Sequence, residues 1–368
     1  MQLAARAQAV QASQTIVLDT QAKALLAAGK PVINLSVGEL DFAAPASVTA
    51  AVQAALTQVN GNRYSPVAGQ VAAKQAIIDY YQTRHGLTYQ PNQVVITNGA
   101  KQALYSLIQV LVNPGDDVLI VNPAWVSYVE QIKLAGGNAV TELTDKTVGL
   151  ILNYPNNPTG EVYDRATLER YAALAKDHNL WVISDEIYEQ LCYDNTEFIS
   201  FANVFPDAIL VNGISKAAAV TGWRVGFACG PQVVMEALTR LQSHITGNVS
   251  NVMQAAIPAA LQLPPETMQQ WLASLTERRN VVLQWVATQP MLSLVTPRGA
   301  FYAFIDIRKL ESSSVKFCER LLNEQYVALV PGAYFGQDGF IRLSFANSLE
   351  QVTEACGRLS EFVLNYKS

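Results

Sequence analysis

The middle of the chain alternates short apolar runs with longer mixed segments. Val94-Val-Ile-Thr97, Asp117-Val-Leu-Ile-Val-Asn122, Val148-Gly-Leu-Ile-Leu-Asn153, Trp181-Val-Ile-Ser-Asp-Glu186, Ala208-Ile-Leu-Val-Asn-Gly213 and Val225-Gly-Phe-Ala-Cys-Gly230 are hydrophobic without strict alternation. Strands covered on both faces have this pattern. Between them, helical character runs over 100–112, 125–135 and 164–178, the last behind an N-cap at Asp164. The alternation predicts an α/β fold: a mostly parallel sheet, of the seven-stranded type, with helices on both faces. Further on, 269–289 carries a long helical pattern, 299–306 and 339–345 read as strands, and 315–323 and 351–364 read as helices. These form a smaller α+β unit. Residues 1–40 hold too little apolar material for a core of their own and are expected to join it. The predicted division is a large domain over 41–275 and a small one built from 1–40 and 276–368.

Most of the apolar runs end in polar residues: Thr97-Asn98, Asn122, Asn153, Asp185-Glu186 and Asn212. In open α/β sheets ligands bind at the carboxyl ends of the strands, so these ends are where a site is expected. Each of these residues, taken singly, reads equally well as a helix cap or a satisfied loop group.

Composition removes several alternatives. Half of the 368 residues are hydrophobic and 15% are charged, enough apolar content for a buried core. The net charge is −5 and no Lys/Arg-rich run occurs, which argues against a nucleic-acid or anionic-membrane surface. The four cysteines lie far apart without CxxC spacing, and the three histidines neighbour neither one another nor a cysteine. Neither a disulfide scaffold, a metal centre nor a Ser-His-Asp hydrolase is expected. Glutamines at 2, 8, 11, 14 and 21 interrupt the N-terminal apolar residues, and no apolar run approaches 18 residues. A cytoplasmic enzyme without signal peptide or membrane span is the expectation.

Candidate chemistry concentrates in Gly213-Ile-Ser-Lys216-Ala-Ala-Ala-Val-Thr-Gly-Trp-Arg224-Val-Gly226. A lysine just past a buried strand sits where an ammonium is costly, so its pKa falls and its amine can attack an aldehyde. Ser215 and Arg224 suit a phosphate. Taken alone, the pair also reads as a surface lysine and a structural arginine. Upstream lie Asn156-Asn157-Pro158-Thr159-Gly160 and Ser184-Asp185-Glu186-Ile187-Tyr188. Asn157 and Asp185 are 28 residues apart, and Asp185 and Lys216 are 31 apart.

These three motifs, in this order, resemble the class I/II aminotransferases, pyridoxal 5′-phosphate enzymes of fold type I, over nearly the whole chain. The flavour of Ala100-Lys-Gln-Ala-Leu104 and Trp125-Val-Ser-Tyr128 is similar to an aspartate aminotransferase subgroup. The resemblance implies a transaminase of amino acid metabolism that moves an amino group between an L-amino acid, aspartate or a related or aromatic one, and a 2-oxo acid. It implies ping-pong kinetics. Lys216 matches the lysine that holds the cofactor and later shuttles a proton. Asp185 matches the partner of the pyridinium nitrogen. Asn157 and Tyr188 match the groups on the ring's 3-oxygen, and Trp125 the aromatic on the ring face, although a tryptophan there also suits plain core packing. Gly99, Ala100 and Lys101, at a strand-to-helix junction, match the phosphate loop, with Ser215 and Arg224. Tyr64 matches a tyrosine given by the partner subunit of a homodimer; alone it is a surface-loop aromatic.

For substrate, Arg342 matches the arginine that grips the α-carboxylate, together with Gly38, Trp125 and Asn157. Leu40 replaces the usual proline of the G-E-P-D-F pattern around Gly38. The stretches 125–157 and about 304–340 are shorter than in most of the family, which bears on specificity and on whether strands beside the pocket are lost. Lys101 is a candidate for the distal carboxylate of a dicarboxylic substrate. Other readings are a C–S β-lyase or cyclising synthase on the same scaffold, a non-enzymatic cofactor sensor, and a nicotinamide-dependent dehydrogenase. The sensor lacks a basic DNA-binding segment, and the dehydrogenase lacks G-x-G-x-x-G after an early strand.

Overall fold

The computed structural model describes residues 2–366. Strand β1 (Ile33–Asn34) lies near the N-terminus, ahead of the large sheet. That sheet is built from β2 (Val94–Thr97), β3 (Asp117–Ile120), β4 (Asn138–Val140), β5 (Thr147–Asn153), β6 (Trp181–Asp185), β7 (Ile209–Gly213) and β8 (Gly226–Cys229). Its order is β2-β8-β7-β6-β5-β3-β4. The pairs from β7 through β4 are parallel, and β8 runs antiparallel to both neighbours. The predicted seven-stranded, mostly parallel sheet is therefore present.

Period-two alternation explains why the strands read as continuous apolar runs. Leu150, Leu152, Val182 and Leu210 pack to one side with Ile77, Tyr81 and Phe227. Ile151, Ile183 and Val211 pack to the other, against Leu104, Leu107 and Ile108 of the Ala100–Leu111 helix. With both faces covered, neither set can be polar. The Arg165–Asp177 helix starts where expected: the Asp164 carboxylate accepts the Thr167 N–H at 2.8 Å.

A second sheet contains β9 (Ser293–Leu294), β10 (Tyr302–Asp306), β12 (Val330–Pro331) and β13 (Phe340–Ser344), all antiparallel where paired. β11 (Val327–Ala328) pairs in parallel with β1 instead. The helices Pro265–Ala287, Ser314–Gln325 and Leu349–Leu364 bury Leu275, Val282, Phe317, Leu321, Val352 and Leu359 in one core with this sheet. Leu18 and Ala22 pack on Leu322 and Ala328, so the N-terminal segment attaches to this smaller unit.

Sequence reading did not anticipate β4 or the helices Ala46–Thr57, Val71–His85 and Gln232–Ser243. β4 is a three-residue edge strand with no apolar run. The Val71–His85 helix buries residues around most of its circumference, including Ala73, Ile77, Ile78, Tyr80 and Tyr81, which blurs the period. The short 125–157 stretch still carries the Val126–Leu134 helix, β4 and β5, so the sheet loses no strand there. Among the described residues no helix is long and apolar enough to cross a membrane.

Candidate active site

The carboxyl ends of β5, β6 and β7 face β10 and β13 across a cavity of about 500 Å³. It is lined by Gly38, Ala100, Lys101, Trp125, Asn157, Asp185, Tyr188, Ser215, Lys216, Arg224 and Arg342 from the expected set. Gly99 is not a lining residue but lies against Arg224, which is one. Tyr64 is 98% exposed and lies outside this cavity.

Asp185 ends β6 and is buried. One carboxylate oxygen accepts the Tyr128 hydroxyl at 2.7 Å and the other the Ile187 N–H at 3.3 Å. Burial raises its pKa to about 6, against the pull of those two donors and of the Lys216 charge. A cationic N–H arriving in the cavity would favour the ionised form. Asn153, at the end of β5, ties two motifs together. Its amide donates to the Asp185 carbonyl at 2.9 Å, and its side-chain oxygen accepts the Asn157 N–H at 2.9 Å. The turn that follows is closed by Gly160 N–H on the Asn156 carbonyl, with Gly160 at φ +71.

Lys216 follows β7 in the short helix Ile214–Ala217. Its amine donates to the Gly38 carbonyl at 2.5 Å. Burial lowers its pKa to about 8; Glu39 and Asp185 oppose this, and Arg224 and Arg342 add to it. The neutral amine, the state that attacks a carbonyl carbon, is then a minor fraction of about a tenth at pH 7, against well under about a thousandth for an ordinary lysine.

The anion end is shaped by close backbone approach. Gly99, at φ +80, precedes the Ala100–Leu111 helix, and a Cβ there would lie 2.5 Å from Arg224 Nη2. A Cβ on Gly226 would lie 2.3 Å from Ala100 N. Helix-start N–H groups, which have no preceding turn to bond to, converge with Ser215 and Arg224 as a cradle for a phosphate. The Lys101 ammonium sits 4.8 Å over the Trp125 ring, and burial, then Arg224, lowers its pKa.

Across the cavity, Arg342 is buried in β13. It donates to Asn157 Oδ1 at 3.0 Å and to the Ser36 carbonyl at 2.5 Å, and its Nε has no hydrogen-bond partner. An unsatisfied buried guanidinium N–H suits an incoming carboxylate. A half-buried amine of lowered pKa for an aldehyde, a buried carboxylate for a ring cation and an anion cradle together fit pyridoxal 5′-phosphate. Among the described residues no group of three or more His, Cys, Asp or Glu side chains is placed to hold a metal.

Sequence reasoning missed Tyr128 and Tyr302 as site residues, and marked Asn153 only as a polar strand end at the ligand edge. Tyr128 stands in the quoted Trp125-Val-Ser-Tyr128 piece, one helical turn from Trp125, and that spacing is the signal that it shares the site. Replacing Tyr128 with phenylalanine removes a hydrogen bond that favours the Asp185 carboxylate. Its pKa is then expected to climb above about 6, with cofactor affinity at pH 7 falling about tenfold. A cofactor titration of the apoprotein at several pH values checks this, and unchanged affinity throughout would refute it.

The model of the family "Aminotransferase class I and II" matches residues 30–359. The chain is 41% identical to the aspartate aminotransferase of Thermotoga maritima, over 95% of this chain and 96% of that protein. It is 36% identical to that of Geobacillus stearothermophilus, over 99% of each. The structure of the aspartate aminotransferase of Thermus thermophilus with maleate superposes with a TM-score of 0.93 at 35% identity, covering 98% of this chain and 99% of that one.

Proposed function

The chain belongs to the class I and II aminotransferases, which depend on pyridoxal 5′-phosphate, and we propose that its amino donor is aspartate or a related or aromatic L-amino acid, with a 2-oxo acid as acceptor. The observation that carries this reading is the meeting of the half-buried Lys216 with the buried Asp185 and Arg342 around one cavity. Full-length similarity to aspartate aminotransferases weighs against the lyase and cyclising-synthase alternatives.

The bound cofactor supplies an aldehyde that condenses with amines and a pyridinium ring that delocalises the electron pair left when Cα loses its proton. In this proposal Lys216 Nζ holds the cofactor. Once freed, the same nitrogen would take the proton from the substrate Cα and hold it for return. Asp185 keeps the ring nitrogen protonated through its charge. Asn157 and Tyr188 hold the 3-oxygen, and Trp125 covers the ring. Gly99, Ala100, Lys101, Ser215 and Arg224 take the phosphate. Arg342, with Gly38, Trp125 and Asn157, takes the substrate carboxylate. The exposed Tyr64 is assigned to the phosphate of a partner subunit in a homodimer. The domain division at 41 and 275 belongs to this reading too: most of the second core comes from 276–368, with Tyr188, Leu191, Tyr193 and Leu275 joining it, and the Pro265–Ala287 helix runs across the second boundary. A cytoplasmic site of action completes it.

A panel of amino donors with 2-oxoglutarate, oxaloacetate or pyruvate, followed at the cofactor absorbance, tests the proposal. Aspartate is expected to convert the cofactor to its amine form, and failure of every donor would overturn the reading. For Lys101, the cavity-lining position of its ammonium supports contact with a distal carboxylate, and the Thermus relative is described with the dicarboxylate maleate. Lys101→Ala is expected to lower kcat/KM for aspartate about tenfold to a hundredfold more than for phenylalanine. Equal losses for the two would sink the assignment.

A further inference from the structure

Tyr302 opens β10 and is buried beside groups from both sides of the cavity, yet none of the motifs contains it. In the antiparallel ladder Tyr302 pairs with Ser344, and Phe304 with Arg342. Opposed and alternate residues share a face, so Tyr302 and Arg342 are diagonal neighbours pointing the same way. The Arg342 guanidinium lies 4.5 Å over the Tyr302 ring. The Tyr302 hydroxyl is 2.8 Å from the Tyr188 hydroxyl. It also fills the space above Gly38, where a Cβ would collide with it. Lys216, which bonds the Gly38 carbonyl, and Glu39, whose charge acts on both Lys216 and Tyr302, are the nearest other ionisable groups, with Asp185 beyond Tyr188.

We propose that Tyr302 is a positioning residue joining the two binding functions: its ring seats Arg342 for the substrate carboxylate, and its hydroxyl donates to the Tyr188 oxygen, aiming the single Tyr188 proton into the cavity. The inference rests on the roles proposed above for Tyr188 and Arg342. The chemistry follows from counting protons. Two tyrosines share one hydrogen bond, so one hydroxyl proton remains free. Either hydroxyl of the pair can donate; with an acceptor such as the cofactor's 3-oxygen present, Tyr188 gives its one proton to that acceptor, which leaves Tyr302 to donate to Tyr188 and makes the Tyr188 proton a stronger donor. A stronger donor to the cofactor's 3-oxygen draws charge from it and loosens its hold on the proton of the Lys216 linkage.

Removing the hydroxyl while keeping the ring, by Tyr302→Phe, is expected to raise the pH midpoint of the cofactor absorbance change by about 0.3 to 1 unit, about twofold to tenfold in the proton equilibrium. KM for the amino donor stays within about twofold, because the ring under Arg342 remains. Tyr302→Leu removes the ring as well and is expected to raise KM about fivefold to thirtyfold. The decisive comparison is a double-mutant cycle read by absorbance, with near-ultraviolet circular dichroism as the folding control. Tyr302→Phe should shift the midpoint in the parent and leave it unmoved in Tyr188→Phe. A parent-like midpoint in Tyr302→Phe, while Tyr188→Phe shifts, overturns the inference and spares the Tyr188 assignment. Equal shifts in both backgrounds overturn it also. A parent-like midpoint in Tyr188→Phe overturns the Tyr188 assignment itself, and this inference with it. A parent-like KM in Tyr302→Leu overturns the seating of Arg342.

Discussion

Lys216→Ala is expected to lower kcat at least about 10⁴-fold, since the amine that would both hold the cofactor and carry the Cα proton is gone. No neighbour can replace it. The other amine of the cavity, Lys101, is placed over Trp125 at the anion end. The loss should fall on kcat and not on folding, because Lys216 makes one hydrogen bond, to the Gly38 carbonyl, and its burial as a cation is itself unfavourable. Borohydride reduction followed by mass spectrometry should find the cofactor on residue 216 of the parent and nowhere on the variant. Activity within tenfold of the parent would end the assignment of this lysine.

Asp185→Asn is expected to cost about 10³-fold in kcat, the scale of losing a preorganised charge opposite a developing one. The amide keeps the shape and loses the charge. The pH dependence supplies a second signature. In the apoprotein the Asp185 carboxyl, raised to about 6 by burial, takes up a proton below that pH and can no longer pair with a ring cation. Cofactor affinity of the parent should therefore fall as pH drops through about 6, and the asparagine variant should lack that step. Stability moves the other way. A carboxyl whose folded pKa lies above the ordinary value holds a proton in the folded chain that the unfolded chain releases between about pH 4 and 6. That contribution is lost as pH rises through the window, so above it the Asp185→Asn apoprotein should be more stable than the parent, by about 1–3 kcal/mol. Parallel melting curves at pH 5 and 7.5 read this; an apoprotein variant less stable than the parent at pH 7.5 would contradict it.

The large sheet was legible because strands covered on both faces must be apolar throughout, and the polar residues at their ends had only the ligand edge to occupy. Asn153 and Asp185 are such ends. The binding set around Lys216 was legible because its residues lie in short contiguous motifs. Tyr302 was not, since an aromatic in Gly299-Ala-Phe-Tyr302 reads as core, and only the pairing of β10 with β13 brings it under Arg342. Tyr128 was hidden for a related reason: its partner, Asp185, is 57 residues away in sequence. β4 and the Val71–His85 helix escaped because edge exposure and all-round burial remove the periodic signal.

The reversed direction of β8 has a mechanical outcome. A parallel β8 would need a crossover, delivering its first residues to the far edge of the sheet. As a hairpin partner of β7, β8 instead begins at the ligand edge, and the link between the two strands never leaves it. Lys216 and Arg224 both ride on that link, clamped to the same rigid slab. Any rocking of the smaller unit would displace Arg342 and Tyr302 relative to this slab, while the amine and the phosphate cradle keep their mutual spacing. An insertion within 217–223 should consequently harm cofactor retention more than an insertion of equal length between β9 and β10.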